Sequence, residues 1–495
     1  MRLAPLFWQL FRFLLPPTLI GLTWIYTYPF LYGCSFPPAV PSELACHLPG
    51  SEQPGRAAET APLRLLCLAD PQLEGGSSVP DYELKRTWRE QGVTGVIGRA
   101  GKRWRKQLDL WGNDRFLAHI YWMISWWTGP THTVVLGDLL GSQWIEDEEF
   151  EKRRRRFWAT VFKSGEMVGR EISGKGGVEE GFESWERRVV AVAGNHDVGY
   201  AGDLNQERLT RWEDGFGEVN WEVRFRLLEK GGSNETTSTT LRSPLEASST
   251  PELRLVVLNS MNLDSPALHP HLQKDTWEFL SSTLPVSSLT KPPPNTGTII
   301  LTHIPLHKTS SHCADEPFTS HFSAAEGGGI REQNLLSSST SEAILNGLSA
   351  AGRSALVLDG HDHEGCDTFH YSHPETSDWT TEPFLRPRLS LRPNNTHLQH
   401  SPIDWDRSNG IREITVRSMM GEFLGNAGLL SAWWDAGEEK WKFEYESCAF
   451  GVQHIWWAGH VLALIEGALG VAALIRGELE VRRARREVGR EKKGQ

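Results

Sequence analysis

The sequence predicts an α/β fold: two packed, mostly mixed sheets flanked by helices, with an apolar helix at each end of the chain. Three observations lead there. Short runs rich in Val, Leu and Ile recur through the middle of the chain, and each reads as a buried strand. The runs are near-continuously apolar, which suits sheets covered on both faces. Apolar stretches about long enough to cross a bilayer stand near both termini.

The 495 residues exceed one small domain and allow a large core with insertions. A content of 39% hydrophobic and 23% charged residues is ordinary for a globular protein. The net charge of −11 argues against a general nucleic-acid binder. Both ends are basic, so the middle is the acidic part. Six cysteines (Cys34, Cys46, Cys67, Cys313, Cys366, Cys448) are widely spaced with no C-x-x-C pair, so neither a zinc ribbon nor a thioredoxin site is indicated. Their even number is compatible with disulfides in an oxidising compartment, with the pairing open.

The first end, residues 1–12, precedes "FLLPPTLIGLTWIYTYPFLY" at 13–32, which has no charge. A helix of that length crosses ~30 Å of hydrocarbon at 1.5 Å per residue. A cleaved signal peptide is the alternative, but no small-x-small site follows closely. Residues 33–62 read as a linker. The second span, "IWWAGHVLALIEGALGVAALI" at 455–475, is interrupted by His460 and Glu466, and a buried helix of the folded domain is its alternative. A basic tail, 476–495, follows it, and basic flanks stay cytoplasmic. Both termini are therefore expected in the cytosol, with residues 63–450 as one luminal domain. Sequons at Asn234 and Asn394 agree with that placement. Lys492 and Lys493, fourth and third from the end, resemble a dilysine endoplasmic-reticulum retrieval signal, which coat proteins read.

Five strand-like runs end in metal-capable side chains. "LRLLCLADPQ" ends in Asp70 and Gln72, "HTVVLGD" in Asp138, and "RRVVAVAGNHD" in Asn195, His196 and Asp197. "TGTIILTHIPLH" carries His303, and "SALVLDGHDH" ends in His361 and His363. Ligands in such sheets gather beyond the strand ends. A bridging Asp, amide oxygens and neutral imidazoles form a mixed N/O donor set suited to Mn²⁺, Fe or Zn²⁺. Two such ions ~3.5–4 Å apart can hold a phosphoryl group, generate hydroxide and stabilise a leaving oxygen.

This ordered set (D-x-Q, GD, GNHD, "THIPL", GHDH) resembles the calcineurin-like metallophosphoesterase superfamily. "ADPQLEG", "GNHDVGY", "GHDHEGC" and "EITVRSMMGEFLGNAGLLS" (413–431) resemble its membrane-bound branch that removes ethanolamine phosphate from glycosylphosphatidylinositol (GPI) anchors. The resemblance covers roughly 63–450 and implies a four-layer αββα metallophosphoesterase sandwich. It implies that Asp70, Gln72 and His363 hold one metal, that Asp138 bridges, and that Asn195, His303 and His361 hold the other. Two divalent ions, Mn²⁺ foremost, would be the cofactors. His196 would contact the phosphate or protonate the leaving oxygen, oriented by Asp197. The implied substrate is the GPI glycan, at its second mannose; the implied setting is the endoplasmic-reticulum membrane before cargo export, with cargo receptors as partners. Two positions depart from the pattern: Gln72 replaces a common His, and Gly141 stands where many relatives carry an acid. Two rival readings are another luminal phosphodiester on the same chemistry and a cargo-sorting scaffold of the same fold.

Between the motifs, "IEDEEFEKRRRRFWATVF" (145–162) reads as a helix with a solvated, internally ion-paired face. Residues 231–252 read as a disordered polar loop, and 253–260 as a further core strand. The insertions 308–340 and 370–410 read equally as a glycan groove or as surface loops. His307, His312 and His370 are read as satisfied or exposed rather than as ligands. Of the 21 Trp, core and membrane-interface positions are expected to account for most.

Overall fold

The computed structural model describes residues 3–39, 60–76, 81–174, 177–180, 182, 185–227, 250–284, 295–309, 312–313, 316–351, 354–372, 378–384 and 410–491. Both sequons, Cys46, Lys492, Lys493 and most of the 231–252 loop lie outside them.

Two large mixed sheets organise the chain. The first runs β16 (Lys440–Ala449), β15 (Asn426–Asp435), β1 (Leu63–Leu68), β2 (His132–Leu136), β5 (Arg188–Val192), β3 (Glu166–Met167). The second runs β13 (Trp379–Pro383), β12 (Cys366–Ser372), β14 (Gly410–Thr415), β11 (Ser354–Asp359), β8 (Thr296–Leu301), β7 (Glu252–Val257), β6 (Trp221–Arg226), β4 (Val178–Glu180). A hairpin of β9 (Thr319–His321) and β10 (Ile330–Gln333) stands apart. All five motif strands form: β1, β2 and β5 are parallel neighbours, as are β8 and β11. The 253–260 run supplies β7, and the 308–340 and 370–410 insertions contribute β9, β10 and β13.

Side-chain alternation explains the apolar runs. Leu63, Leu65, Val134, Leu136, Val190 and Val192 of the first sheet join Leu253, Leu255, Ile299, Leu301, Leu356 and Leu358 of the second in one buried cluster. The intervening residues, Leu66, Val135 and Ala191 on one sheet and Val256, Ile300 and Val357 on the other, pack under helices. Neither face meets water, so both faces must be apolar.

The helices are α1 (Leu3–Leu31), α2 (Asp81–Thr128), α3 (Asp147–Arg156), α4 (Gln206–Phe216), α5 (Pro270–Thr283), α6 (Ser338–Ala351) and α7 (Gln453–Glu491). In α3 the acids fill the first turn and the bases the last, matching the helix dipole. The solvated-face expectation is corrected for one residue: Arg153 is buried, pairing with Glu149 and donating to the Leu73 carbonyl. Arg156 pairs with Asp114 of α2. Helix α1 starts ten residues before the expected span, so Pro16 and Pro17 fall in its middle.

Among the described residues two helices are long and apolar enough to cross a membrane, α1 and the Gln453–Val488 part of α7. They pack antiparallel: Ile25 lies over Gly459, Phe11 over Gly470, and the Ala4 amide donates to Glu480. The glycines permit this approach, since a β-carbon at Gly459 would sit 2.6 Å from Ile25. His460 is bonded to the Tyr26 hydroxyl at 2.9 Å, and Glu466 is buried. A Cys34–Cys448 disulfide ties the end of α1 to β16, and a second joins Cys313 to Cys366. Cys67 is free and buried.

Candidate metal centre

The donors converge because each follows the C-terminal end of a strand. Asp70 and Gln72 follow β1, Asp138 follows β2, Asn195 follows β5, His303 follows β8, and His361 and His363 follow β11. Backbone conformation singles out four of them. Asp70 (φ 51°), Gln72 (φ 41°), Asp138 (φ 50°) and His361 (φ 72°) all lie in the left-handed region. Each such residue costs of order 1 kcal/mol or more and persists where surrounding structure dictates it, typically at functional sites.

Asp138, His303 and His361 present ligand atoms within 4.8 Å of one another. His303 is fixed by its Nδ1, which donates to the Leu136 carbonyl at 2.9 Å. That bond leaves the Nε2 lone pair free, 3.4 Å from Asp138 Oδ1 and 3.1 Å from Asn195 Oδ1. As oriented, three electron-pair donors face one point, an arrangement a cation satisfies. Two glycines make room for it: a β-carbon at Gly137 would lie 2.0 Å from His303 Nδ1, and one at Gly194 would lie 2.2 Å from the Asp138 amide nitrogen. The "GD" and "GN" pairs of the motifs are thus packing requirements.

Gln72 and His363 stand on the other side of Asp138. The Gln72 Nε2 lies 3.2 Å from Asp138 Oδ2 and 3.2 Å from His363 Nε2. To serve as a ligand the amide must turn over and present its oxygen. Asp70 is fully buried, and its carboxylate accepts from the His361 amide. Phe423 packs its ring 4.7 Å from that of His363.

The electrostatics fit a cation. Burial pushes the Asp70 carboxyl well above its usual range, and the nearby Asp138 adds to that. For Asp138 burial acts the same way but is outweighed, in part by the His196 backbone amide that donates to it, and the carboxyl is held below its usual range. Burial lowers His361 to about 3 and also lowers His303 and His363, so these imidazoles are neutral and free to ligate. Two buried carboxyls beside neutral imidazoles are what a divalent ion would neutralise.

His196 is part-exposed, with Nε2 3.8 Å from Asp138 Oδ2 and its backbone amide donating to Asp138 Oδ1 at 2.8 Å. Asp197 requires a correction. It accepts instead from the backbone amides of Leu139, Leu140 and Gly194 at 2.9–3.1 Å. It clamps the β2 and β5 loops together rather than orienting His196, because its side chain turns inward beneath the helical turn Asn195–Val198.

Several supporting residues carry no spacing signal in the sequence. Ser418 bonds the Asp70 carbonyl, and its amide donates to that of His363. Glu413 holds the loop after β8 by accepting from the Leu306 amide and pairing with the buried Lys308 at 2.8 Å. His370 bonds Glu413, the His307 backbone amide donates to the Ser341 hydroxyl, and His312 bonds the Thr309 hydroxyl. A cavity of about 430 Å³ opens beside His361 and His363, walled by Lys308, Asp362, Glu364, Phe423 and the Cys313–Cys366 disulfide.

The chain is 30% identical to Protein TED1 of Saccharomyces cerevisiae over 408 residues, 72% of this chain and 76% of that one. It is 28% identical to an uncharacterized protein of Schizosaccharomyces pombe over 381 residues, 74% of this chain and 68% of that one. It is 23% identical to Metallophosphoesterase 1 of Rattus norvegicus over 347 residues, 66% of each. No family model matches the chain.

Proposed function

Since this chain belongs to the metallophosphoesterase family that embraces these relatives, we propose that it is a dinuclear phosphodiesterase that removes ethanolamine phosphate from a mannose, the second, of the GPI-anchor glycan. The observation that carries the hydrolase reading is the convergence of seven donors at five strand ends, four of them in left-handed backbone. The two sheets sharing one inner cluster support a four-layer αββα sandwich. The GPI substrate rests on the motif resemblance.

In this reading Asp70, Gln72, Asp138 and His363 hold one ion, and Asp138, Asn195, His303 and His361 the other. Bound divalent ions would supply charge to the phosphoryl oxygens and an acidified water. The chain does the rest. Asp197 and the Leu136 carbonyl fix Asp138 and His303 before substrate arrives. His196 reaches toward the substrate side of Asp138, where its ring can hand a proton to the mannose oxygen as that oxygen leaves. The 430 Å³ cavity is sized for a small headgroup, with Asp362 and Glu364 on its wall.

The reading places the chain in the endoplasmic-reticulum membrane with the metal centre luminal. The two apolar helices and two disulfides support it. The test uses the full chain in lipid nanodiscs with Mn²⁺ and GPI glycan carrying ethanolamine phosphate, followed by mass spectrometry. Native protein should release the group. His196→Ala should lose about 10²–10⁴-fold, the range for a general acid, while keeping its metal. Asp138→Asn should lose both metal and activity. Bound metal without release would sink this substrate; no metal in folded protein would sink the hydrolase and favour a scaffold.

A further inference from the structure

Helix α2 is apolar on two faces. Phe116, Leu117, Ile120 and Ile124 pack into the core. On the other side Trp104, Leu108, Trp111, Trp122 and Trp126 are 43–66% exposed. At 3.6 residues per turn these five fall within an arc of about 60°, along roughly 33 Å of helix. Large apolar side chains aligned so regularly on a surface mark a partner.

The stripe lies where both apolar helices leave the domain. Trp127 stacks on Phe30, near the end of α1, at 4.5 Å. Trp111 lies 5.7 Å from Trp457, in the first turns of α7. His119 meets Tyr26 of α1 edge-on at 4.8 Å. The composition suits an interface rather than a hydrocarbon core: indoles dominate, Trp122 and Trp126 stack with rings 5.8 Å apart, and Arg115 sits over Trp111. Trp belongs at the level of lipid headgroups, with its ring in apolar surroundings and its N–H wet.

We infer that α2 is an interfacial helix whose tryptophan stripe seats in the headgroup layer of the bilayer on the metal-centre side. This rests on the reading that α1 and α7 span the membrane. The consequence concerns substrate access. A groove of about 480 Å³, lined by Arg105, Lys106, Glu74, Asp109, Glu422 and Trp457, reaches Gln72 at the metal centre. With α2 on the membrane, that groove begins at the lipid surface. It would admit a phosphodiester carried by a membrane-anchored molecule from the side rather than from bulk solvent.

Photo-crosslinking of the full chain in phosphatidylcholine vesicles tests it. Benzoylphenylalanine replaces Trp104, Trp122 or Trp126 in turn, with Ile20 and Leu464 as reporters of spanning and the exposed Trp144, off the stripe, as control. Lipid adducts at the three stripe positions and both reporters, with none at Trp144, support the inference. Adducts at Ile20 and Leu464 but none on the stripe overturn it and leave the anchors standing. Stripe adducts to a second polypeptide overturn it in favour of self-association. No adduct at Ile20 or Leu464 removes the spanning reading and the inference with it.

Discussion

Gly194 has no room for a β-carbon: one would lie 2.2 Å from the Asp138 amide nitrogen and 2.3 Å from its Oδ1. Gly194→Ala should therefore cost about 1–3 kcal/mol, as overpacking does, and displace the Asp138 carboxylate. Metal content and melting temperature measure both effects; unchanged metal content would show that the contact relaxes harmlessly. Asp70 makes a prediction with a definite sign. Its pKa is raised in the folded protein, so its stabilising contribution is present at low pH and lost as pH rises through the folded value. In chelator-treated protein, Asp70→Asn should be more stable than wild type at pH 7, and the advantage should shrink as pH falls. With Mn²⁺ at a hundred times its Kd the order should reverse, since binding adds about 2.7 kcal/mol to the wild type. A wild type more stable than Asp70→Asn without metal would refute this.

Strands β1, β2, β5, β8 and β11 were legible because a strand buried on both faces must be apolar along its length, and each ended in a polar motif. Helix α2 was not, because its two apolar faces blur any single helical stripe. The loop after β8 hangs on a contact invisible to local sequence. Glu413, fully buried in β14, accepts from Leu306 and pairs with Lys308, and Lys308 with His370 outweighs burial to hold its pKa low. Glu413→Ala would strand a buried ammonium and should cost about 3–5 kcal/mol. Chemical denaturation reads that loss; a cost near zero would mean that Lys308 finds water.

The two ends of the chain meet, since α1 and α7 pack antiparallel and Cys34–Cys448 closes them at the domain side. If both helices span, one face of the membrane holds the whole metal centre and the other both termini. Protease added to sealed microsomes should trim residues 476–495 and an N-terminal tag while sparing a fragment from about residue 33 to 452. Digestion of the middle in sealed vesicles would reverse the topology. Adding reductant after solubilisation should lower stability by roughly 2–5 kcal/mol for each of the two disulfides it opens.

The order of motifs along the chain, the residue types at each strand end and the two apolar termini were all present in one dimension, because periodicity and composition are local properties. The placement of these side chains followed from them: Asp138, His303 and His361 present ligand atoms within 4.8 Å of one another, with Asn195 beside His303 and Gln72 and His363 beside Asp138. Roles were another matter. Asp197 follows His196 in sequence yet bonds three backbone amides on two loops, since a buried carboxylate turns toward the nearest unpaired N–H groups. Gln72 is placed by Asp138 and His363, sixty-six and 291 residues away. The disulfide partners, the Glu413–Lys308 pair and the outward tryptophans of α2 likewise depend on which surfaces packing brings together, which no local pattern encodes.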